Sequence, residues 1–477
     1  MTVLSRRIDG PAGTDAAAFA GQHVHLIGIG GCGMRGVAAV LLKQGAHVTG
    51  SDRVDSGITQ RLAHAGAVVH IGQRAENLPQ ALNLVVVSAA VKDANPEVIE
   101  AKRRGCEIIK YAELVGRLMT AYTGLAVAGT HGKSTTTAMT AYILRQAGLD
   151  PSFIVGAVVD QLDGPAGVGA GEHLVVEACE FDRSFLQFTP TLAAILNIEE
   201  DHLDYYAGLD EIIESFAAFA SRVPAHGLIV ANHDDRSAMA AAKHVGANVE
   251  TFGFGEGANW RATNLVADRG RFAFDWHHND NLLGRVQMAL AGRHNVANGL
   301  AAAAIAVHCG AAPDKVIAAL GQFAGAKRRL TQRGQAKGIT IVDDYAHHPT
   351  EIQATLRAAR DLYTPKRLFV VFQPHQHSRT RFLLADFAKS FGLADVVVIP
   401  DIYFVRDSEA ELDKIGSMDL VEKIHAHGGE ALYLPEFAQI QQYLKDELRA
   451  GDVVVTMGAG DVWKVADELV EWLGIDL

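Results

Sequence analysis

The stretch Leu125-Ala126-Val127-Ala128-Gly129-Thr130-His131-Gly132-Lys133-Ser134-Thr135-Thr136-Thr137 decides how the chain is read. A short apolar run enters a glycine turn, and a helix-compatible run, Ala138 to Gln146, leaves it. Glycines let backbone N–H groups close around phosphate oxygens, and the N-terminus of the following helix adds a favourable dipole. Lys133 can then reach the β- and γ-phosphates of a nucleoside triphosphate, and the Ser134 hydroxyl can hold Mg2+. The pattern G-x-x-x-x-G-K-S/T wants a further glycine where this chain has Val127, so the loop is the shorter Gly129-x-x-Gly132-Lys133-Ser134. A solvated turn with a capping serine would carry the same letters. The strand before it and the helix after it favour the nucleotide.

Downstream, His173–Ala178 predicts a strand bearing Glu177 at its end, followed by Glu180 and Asp182. Leu192–Ile198 predicts another, leading into Asn197-Ile198-Glu199-Glu200-Asp201-His202. In a doubly wound sheet, ligands sit outside the carboxyl ends of strands. Glu177 and His202 are therefore expected to converge on the triphosphate and to share Mg2+ with Ser134, since this ion prefers a few protein ligands beside phosphates. Most of Glu180, Glu199, Glu200, Asp201 and Asp204 read as a solvated loop. Residues 249–290 alternate and are rich in aromatics, which predicts a small antiparallel insert. Then Gly292-Arg293-His294-Asn295-Val296-Ala297-Asn298 opens a long alanine-rich helix. Asn295 and Asn298 share a face of it; capping and recognition of a purine edge would each use them. Lys327-Arg328-Arg329 closes this region as plain surface or as a phosphate-facing hinge.

Upstream, His23–Ile27 reads as a buried strand, followed by Gly28-Ile29-Gly30-Gly31-Cys32-Gly33-Met34 and a helix to about Gln44. A second strand, Ala46–Gly50, ends in Ser51-Asp52, an acid at the distance where a ribose hydroxyl would bind. Leu84–Ala90 is a third, with Ser88 near its end. One G-x-G-x-x-G alone would allow a nicotinamide-dependent oxidoreductase. A second phosphate loop follows, so residues 22–121 are read as holding a nucleotide-linked substrate, through Gly30, Gly31, Gly33, Met34, Ser51, Asp52 and Ser88.

The last third begins a new unit: strand Ile339–Val342, then Asp343-Asp344-Tyr345-Ala346-His347-His348-Pro349 and a helix from Thr350. Strands Leu368–Phe372, Val396–Ile399, Leu432–Leu434 and Val453–Thr456 alternate with helices. The histidines here, with His375 and His377 after Gln373-Pro374, show neither an i, i+4 pair nor a cysteine partner, which argues against zinc.

A chain of 477 residues at about 150 residues per domain suggests three: 22–121, 122–327 and 328–477. The fold class is α/β: a Rossmann-like N-terminal domain, a central P-loop ATPase domain and a Rossmann-like C-terminal domain. With 49% hydrophobic and 21% charged residues the composition is that of a globular protein. A net charge of −12 argues against a nucleic-acid surface, which needs clustered Lys and Arg. The four cysteines form no C-x-x-C pair, so a reducing compartment is expected. No apolar segment follows Arg6 and Arg7, and no run reaches the roughly 18 apolar residues of a membrane span. A cytoplasmic protein, away from membranes, is expected.

Taken together the segments resemble the Mur ligase family, nearest to its alanine-adding branch. The motifs are Gly28–Met34, Gly129–Thr135, Glu177-Ala178-Cys179-Glu180-Phe181-Asp182, Asn197–His202, Gly292–Asn298, Asp344–Pro349 and Phe372-Gln373-Pro374-His375, in the family's order over nearly the whole chain. The resemblance implies ATP-dependent amide formation between UDP-N-acetylmuramate and L-alanine by a monomer or homodimer, with Mg2+. It implies that Gly129, Thr130, His131, Gly132, Lys133, Ser134 and Thr135 hold phosphates, and that Ser134, Glu177 and His202 serve Mg2+. Asn295 and Asn298 would bind adenine, Arg328 and Asp344 would complete the ATP site, and His347 and His348 would face the substrate. A related branch of the family attaches a whole tripeptide to the same sugar and is the nearest alternative.

Three departures stand out. Cys179 replaces an acid, and Arg183 replaces a small residue. The helix Leu209–Ser221 has no lysine, whereas sister ligases carry a carbamylated one there; the alanine-adding branch also lacks it. Gln376 stands where the family has an arginine. Two arginines near this strand end, Arg379 and Arg381, could hold the amino acid's carboxylate; it is expected to fall to Arg379, with His375 orienting the pocket.

Overall fold

Thr123–Ala128 is buried at every position, which suits only an inner strand of a sheet covered on both faces. It pairs in parallel with Leu192–Ile195 on one side and His173–Ala178 on the other. The protein is described here from a computed structural model covering residues 19–88, 91–405 and 407–475, without the Cys32 side chain. Ala89 and Ala90 of the expected third strand lie outside the described residues.

The central sheet has ten strands. From Leu192–Ile195 it continues through Leu228–Asn232 and Asn248–Gly253; from His173–Ala178 it continues through Ser152–Val159 to Gly164–Gly167. The aromatic-rich region is no separate insert. Trp260–Asp268, Arg271–His278 and Asn281–Ala291 form an antiparallel meander joined to the same sheet through Asn248–Gly253. Trp260, Phe274 and Trp276 bury their rings under it.

The helix after the glycine turn runs from Lys133 to Gln146 and packs on the helix Arg293–His308. Ala301, Ala302, Ala303 and Ala304 are fully buried. Such small side chains let two helices approach closely, which brings the start of the second helix beside the P-loop.

The first sheet is parallel, in the order Val68–Ile71, His47–Asp52, His23–Ile27, Leu84–Val87, Glu107–Lys110. Its glycine-rich turn lies where the strand order reverses, the usual place for a ligand crevice. One hydrophobic cluster runs without a break from Val24, Val37 and Val115 of this domain to Ala126, Val176 and Phe216 of the next. Gly36, on the helix Cys32–Lys43, makes the approach possible: a Cβ there would lie 3.0 Å from both Ile154 and Ala166.

The C-terminal sheet has six strands: Thr331–Ala336, Ile339–Asp344, Val453–Met457, Leu368–Phe372, Val396–Ile399 and Ala431–Tyr433. Only the first is antiparallel to its neighbour. Among the described residues no helix is long and apolar enough to cross a membrane.

Candidate active site

The glycine turn closes on itself around Lys133. Gly132 has φ +81°, a left-handed conformation that disfavours a side chain, and a Cβ there would come 2.5 Å from Asn298 Oδ1. Lys133 Nζ donates to the carbonyls of Gly129 (2.5 Å) and Thr130 (3.0 Å) and lies 2.9 Å from Glu180 Oε2. Burial alone would lower the lysine's pKa, but the charge of Glu180, with Cys179 and Glu177, outweighs it and raises the pKa above the usual value. Glu180 is thus a buried partner of the P-loop lysine rather than part of a solvated loop.

Ser134 Oγ donates to Glu177 Oε1 at 3.1 Å, and the other oxygen of Glu177 accepts the Gly156 amide at 2.8 Å. The expected strand Leu192–Ile198 ends at Ile195. His202 therefore lies in the loop beyond it rather than at the strand end, with φ +53°. Its Nε2 is 3.8 Å from both Glu180 Oε1 and Asp201 Oδ2. Asn197 ties this loop to the P-loop, accepting the His131 amide (2.7 Å) and donating to the His131 carbonyl (3.1 Å). The Thr130 hydroxyl accepts the Glu199 amide at 2.9 Å.

Beside the P-loop a cavity of about 570 Å³ opens between the central and C-terminal domains. His131, Gly132 and Thr135 form one wall, Asn295 and Asn298 another, and Arg329 and Asp344 a third. Asn295 does not cap its helix, whose N-cap is Gly292. Its amide donates to the Ala291 carbonyl (2.7 Å), and its Oδ1 accepts from Asn298 (3.1 Å). Of the two junction arginines, Arg329 rather than the expected Arg328 faces the P-loop. Arg328, with φ +60°, points back to Asp343 (3.1 Å) and the Gly458 carbonyl (2.6 Å). Arg329 donates to Ser134 Oγ at 3.3 Å. Asp344 accepts the amides of Leu330 and Ala346, and burial pushes its pKa up to about 6 against the pull of Arg329.

Arg379 reaches across from the C-terminal domain. Its Nε and Nη2 both donate to Asp201 Oδ1, at 3.0 and 2.8 Å, and its Nη1 lies 3.2 Å from His375 Nδ1. Both charged side chains are under one-tenth exposed, so Asp201, like Glu180, departs from the solvated-loop expectation. Arg381 instead pairs with Glu411. Asp201, His202, Arg379 and Leu383 share a small pocket. His347 packs edge-on to His375 at 6.1 Å, and burial pushes its pKa down to about 4. His348 sets its ring 4.6 Å from His131 and donates Nε2–H to the Glu200 carbonyl at 3.0 Å. Of the departures, Arg183 pairs with Glu211 (2.6 Å), Cys179 is exposed, and Gln376 is buried with φ +70°.

In the first domain, Gly28, Gly30, Ser88 and Asp52 meet at the strand ends. The Gly30 amide donates to Asp52 Oδ2 at 2.9 Å, and a Cβ on Gly28 would come 2.9 Å from Ser88 Oγ. Gly31 is exposed, and Gly33 lies against Tyr111. Two expected members face the interior instead. Ser51 is fully buried and donates to Glu97 Oε2 at 2.6 Å, because neighbouring strand residues alternate faces and Asp52 takes the open one. Met34 lies on the inward face of its helix and joins the core.

Profiles of three Mur ligase domains match in order: the Mur ligase family catalytic domain over residues 23–123, the middle domain over 127–306, and the glutamate ligase domain over 328–460. The UDP-N-acetylmuramate–L-alanine ligase of Caldanaerobacter subterraneus is 42% identical over 452 residues, covering 94% of this chain and 97% of that protein. The same ligase of Clostridium novyi is 42% identical over 451 residues, with the same coverage. Among solved structures, the UDP-N-acetylmuramate–alanine ligase of Thermotoga maritima aligns with TM-score 0.79 and 27% identity, over 95% of this chain and 99% of that one. A murein peptide ligase of Psychrobacter arcticus aligns with TM-score 0.72 and 28% identity, over 96% and 100%. With three domains in the same order and full-length relatives at this identity, the chain belongs to the Mur ligase family.

Proposed function

We propose that the chain joins L-alanine to the lactyl carboxylate of UDP-N-acetylmuramate, converting ATP to ADP and phosphate, in the synthesis of peptidoglycan precursors. The observation that carries this reading is 42% identity to alanine-adding ligases across nearly the full length of both chains. Among solved structures identity does not separate the branches, but the alanine-adding ligase superposes more closely than the murein peptide ligase, with TM-score 0.79 against 0.72.

A carboxylate is a poor acylating agent. A lactyl oxygen attacks the γ-phosphorus, the bond to the β,γ-bridging oxygen breaks, and ADP departs, leaving an acyl phosphate. The chain's part in this step is positioning and charge neutralisation. Lys133, held by Glu180, and Arg329, beside Ser134, supply fixed positive charge where the phosphoryl group passes. Asn295 and Asn298 stand on the cavity wall, available to an adenine edge. The nitrogen of alanine, having lost a proton, then attacks the acyl carbon, and the tetrahedral intermediate expels phosphate to give the amide.

Ser134 Oγ and Glu177 Oε1, 3.1 Å apart, form an oxygen-only pair of the kind a hard cation takes, and His202 stands near across Glu180. These residues fit Mg2+, which when bound screens the triphosphate charge. Asp201 grips the guanidinium of Arg379 on its Nε side through a single oxygen. That leaves the Nη1–Nη2 end to meet the carboxylate of alanine, with His375 alongside.

Phosphate release measured with UDP-N-acetylmuramate, ATP and each amino acid in turn tests the reading. L-Alanine should support turnover well above glycine and serine. Turnover with the tripeptide and not with alanine would reassign the chain to the recycling branch. Binding of a reduced nicotinamide cofactor in a fluorescence titration would point to an oxidoreductase instead.

A further inference from the structure

Three metal-binding side chains meet at the seam between the P-loop and the C-terminal domain. His131 comes from the P-loop, Glu199 from the loop after Leu192–Ile195, and His348 from the turn before Pro349–Tyr363. One donor atom from each lies within 4.8 Å of the other two. His131 Nε2 and His348 Nδ1 approach the same atom, Glu199 Oε2, at 3.4 and 3.9 Å. His131 Nε2 is buried and makes no hydrogen bond.

The outward nitrogens of both rings are tied down. His131 Nδ1 faces Glu351 Oε1 at 3.3 Å, and His348 Nε2 donates to the Glu200 carbonyl at 3.0 Å. Metal sites hold their histidines in this way: a carboxylate or carbonyl takes one N–H, fixes the ring, and leaves the other lone pair for the ion. Two imidazoles and one carboxylate suit Zn2+ and neighbouring first-row ions, whereas Mg2+ prefers oxygen alone. The histidine-rich turn lacks a metal-binding spacing within itself. Its partners come from another domain.

We propose that His131, Glu199 and His348 form a binding site for Zn2+ or a similar transition-metal ion, distinct from the Ser134–Glu177 oxygen pair. The ion takes the place of the Thr350 amide, now 3.3 Å from His348 Nδ1. Because two ligands belong to the central domain and one to the C-terminal domain, the bound ion staples the domains together. His131 and Glu199 also line the cavity beside the P-loop.

The test is a calorimetric titration of Zn2+ alone into the full chain, without nucleotide or Mg2+. One saturable site per chain is expected. Glu199→Gln, a same-shape change at a partly exposed residue, and His348→Ala should each weaken it at least about tenfold. Glu351→Gln, which only loosens the His131 ring, should weaken it by roughly 10- to 100-fold, and Glu177→Gln should bind as the parent does. Zn2+ should raise the Tm of the parent and not that of Glu199→Gln. Absence of saturable binding, or binding that survives Glu199→Gln and His348→Ala but is lost in Glu177→Gln, would overturn the proposal. The ligase reading is untouched by either result, since no substrate is present.

Discussion

Replacing Asp201 by asparagine should impair the use of alanine while leaving the sugar nucleotide alone. Asp201 Oδ1 accepts two N–H groups from Arg379, at 3.0 and 2.8 Å, and both side chains are nearly removed from water. Truncating one partner of a buried, hydrogen-bonded charge pair costs roughly 2–5 kcal/mol. Asparagine keeps an oxygen acceptor and loses only the charge, so the lower end applies, about 2 kcal/mol, or about thirtyfold in rate terms. Asp201 touches Arg379 rather than substrate, so it acts as a positioning residue. Its loss should appear as a higher KM for L-alanine, with kcat/KM down about thirtyfold. The KM for UDP-N-acetylmuramate, whose proposed crevice lies in the first domain, should move less than about twofold. Arg379→Ala should cost at least as much, and the double variant no more than Arg379→Ala alone, because the pair acts as a unit. Steady-state phosphate release with either substrate varied measures all of this. A parental alanine KM in Arg379→Ala would refute the carboxylate assignment; normal kinetics in Asp201→Asn beside a crippled Arg379→Ala would refute the positioning role.

Lys133→Ala should abolish turnover while UDP-N-acetylmuramate still binds by calorimetry, since the first-domain crevice is built from Gly30, Asp52 and Ser88. Glu177→Gln should raise the Mg2+ concentration needed for half-maximal rate, with partial recovery at high Mg2+, because one charged oxygen beside Ser134 has become neutral; an unchanged Mg2+ dependence would remove Glu177 from the metal site. Asp344 should leave a mark on stability against pH. Its folded pKa, about 6, lies above the ordinary 3.8, so between these values the folded chain holds a proton that the unfolded chain has released. Stability from this group therefore falls as pH rises through that window, and Asp344→Asn should flatten the corresponding slope in Tm.

Much of the fold could be read from apolar runs. His173–Ala178, Leu368–Phe372 and Val396–Ile399 are strands with the expected bounds, because buried parallel strands are continuous apolar runs closed by polar residues. The P-loop helix begins at Lys133, before the expected Ala138, since four threonines disguise it. Thr137 and Thr140 return their hydroxyls to carbonyls four residues back, at 2.8 Å each, so they are buried without orphaned polar groups. The site was less legible wherever a partner is distant in sequence. The run Glu199-Glu200-Asp201 looks like a solvated loop until Arg379 arrives from another domain. Glu351, which holds His131 and His347, carries no local signal beyond its place two residues after Pro349. Arg328 and Arg329 are neighbours of one chemistry; the left-handed turn at Arg328 decides which faces Ser134.

The unbroken packing of the first two sheets bears on how the chain is made. The helix face around Gly36 emerges from the ribosome long before Ile154, Ala166 and Val176, the residues that cover it or extend its core. Until those are translated, a nascent first sheet presents an uncovered apolar flank, the kind of surface chaperones engage. The cooperative unit of folding is then set by that flank and not by the linker near residue 121. Anyone wishing to lift out the first sheet as a stand-alone domain would have to cut after the second sheet, or repaint the flank with polar side chains.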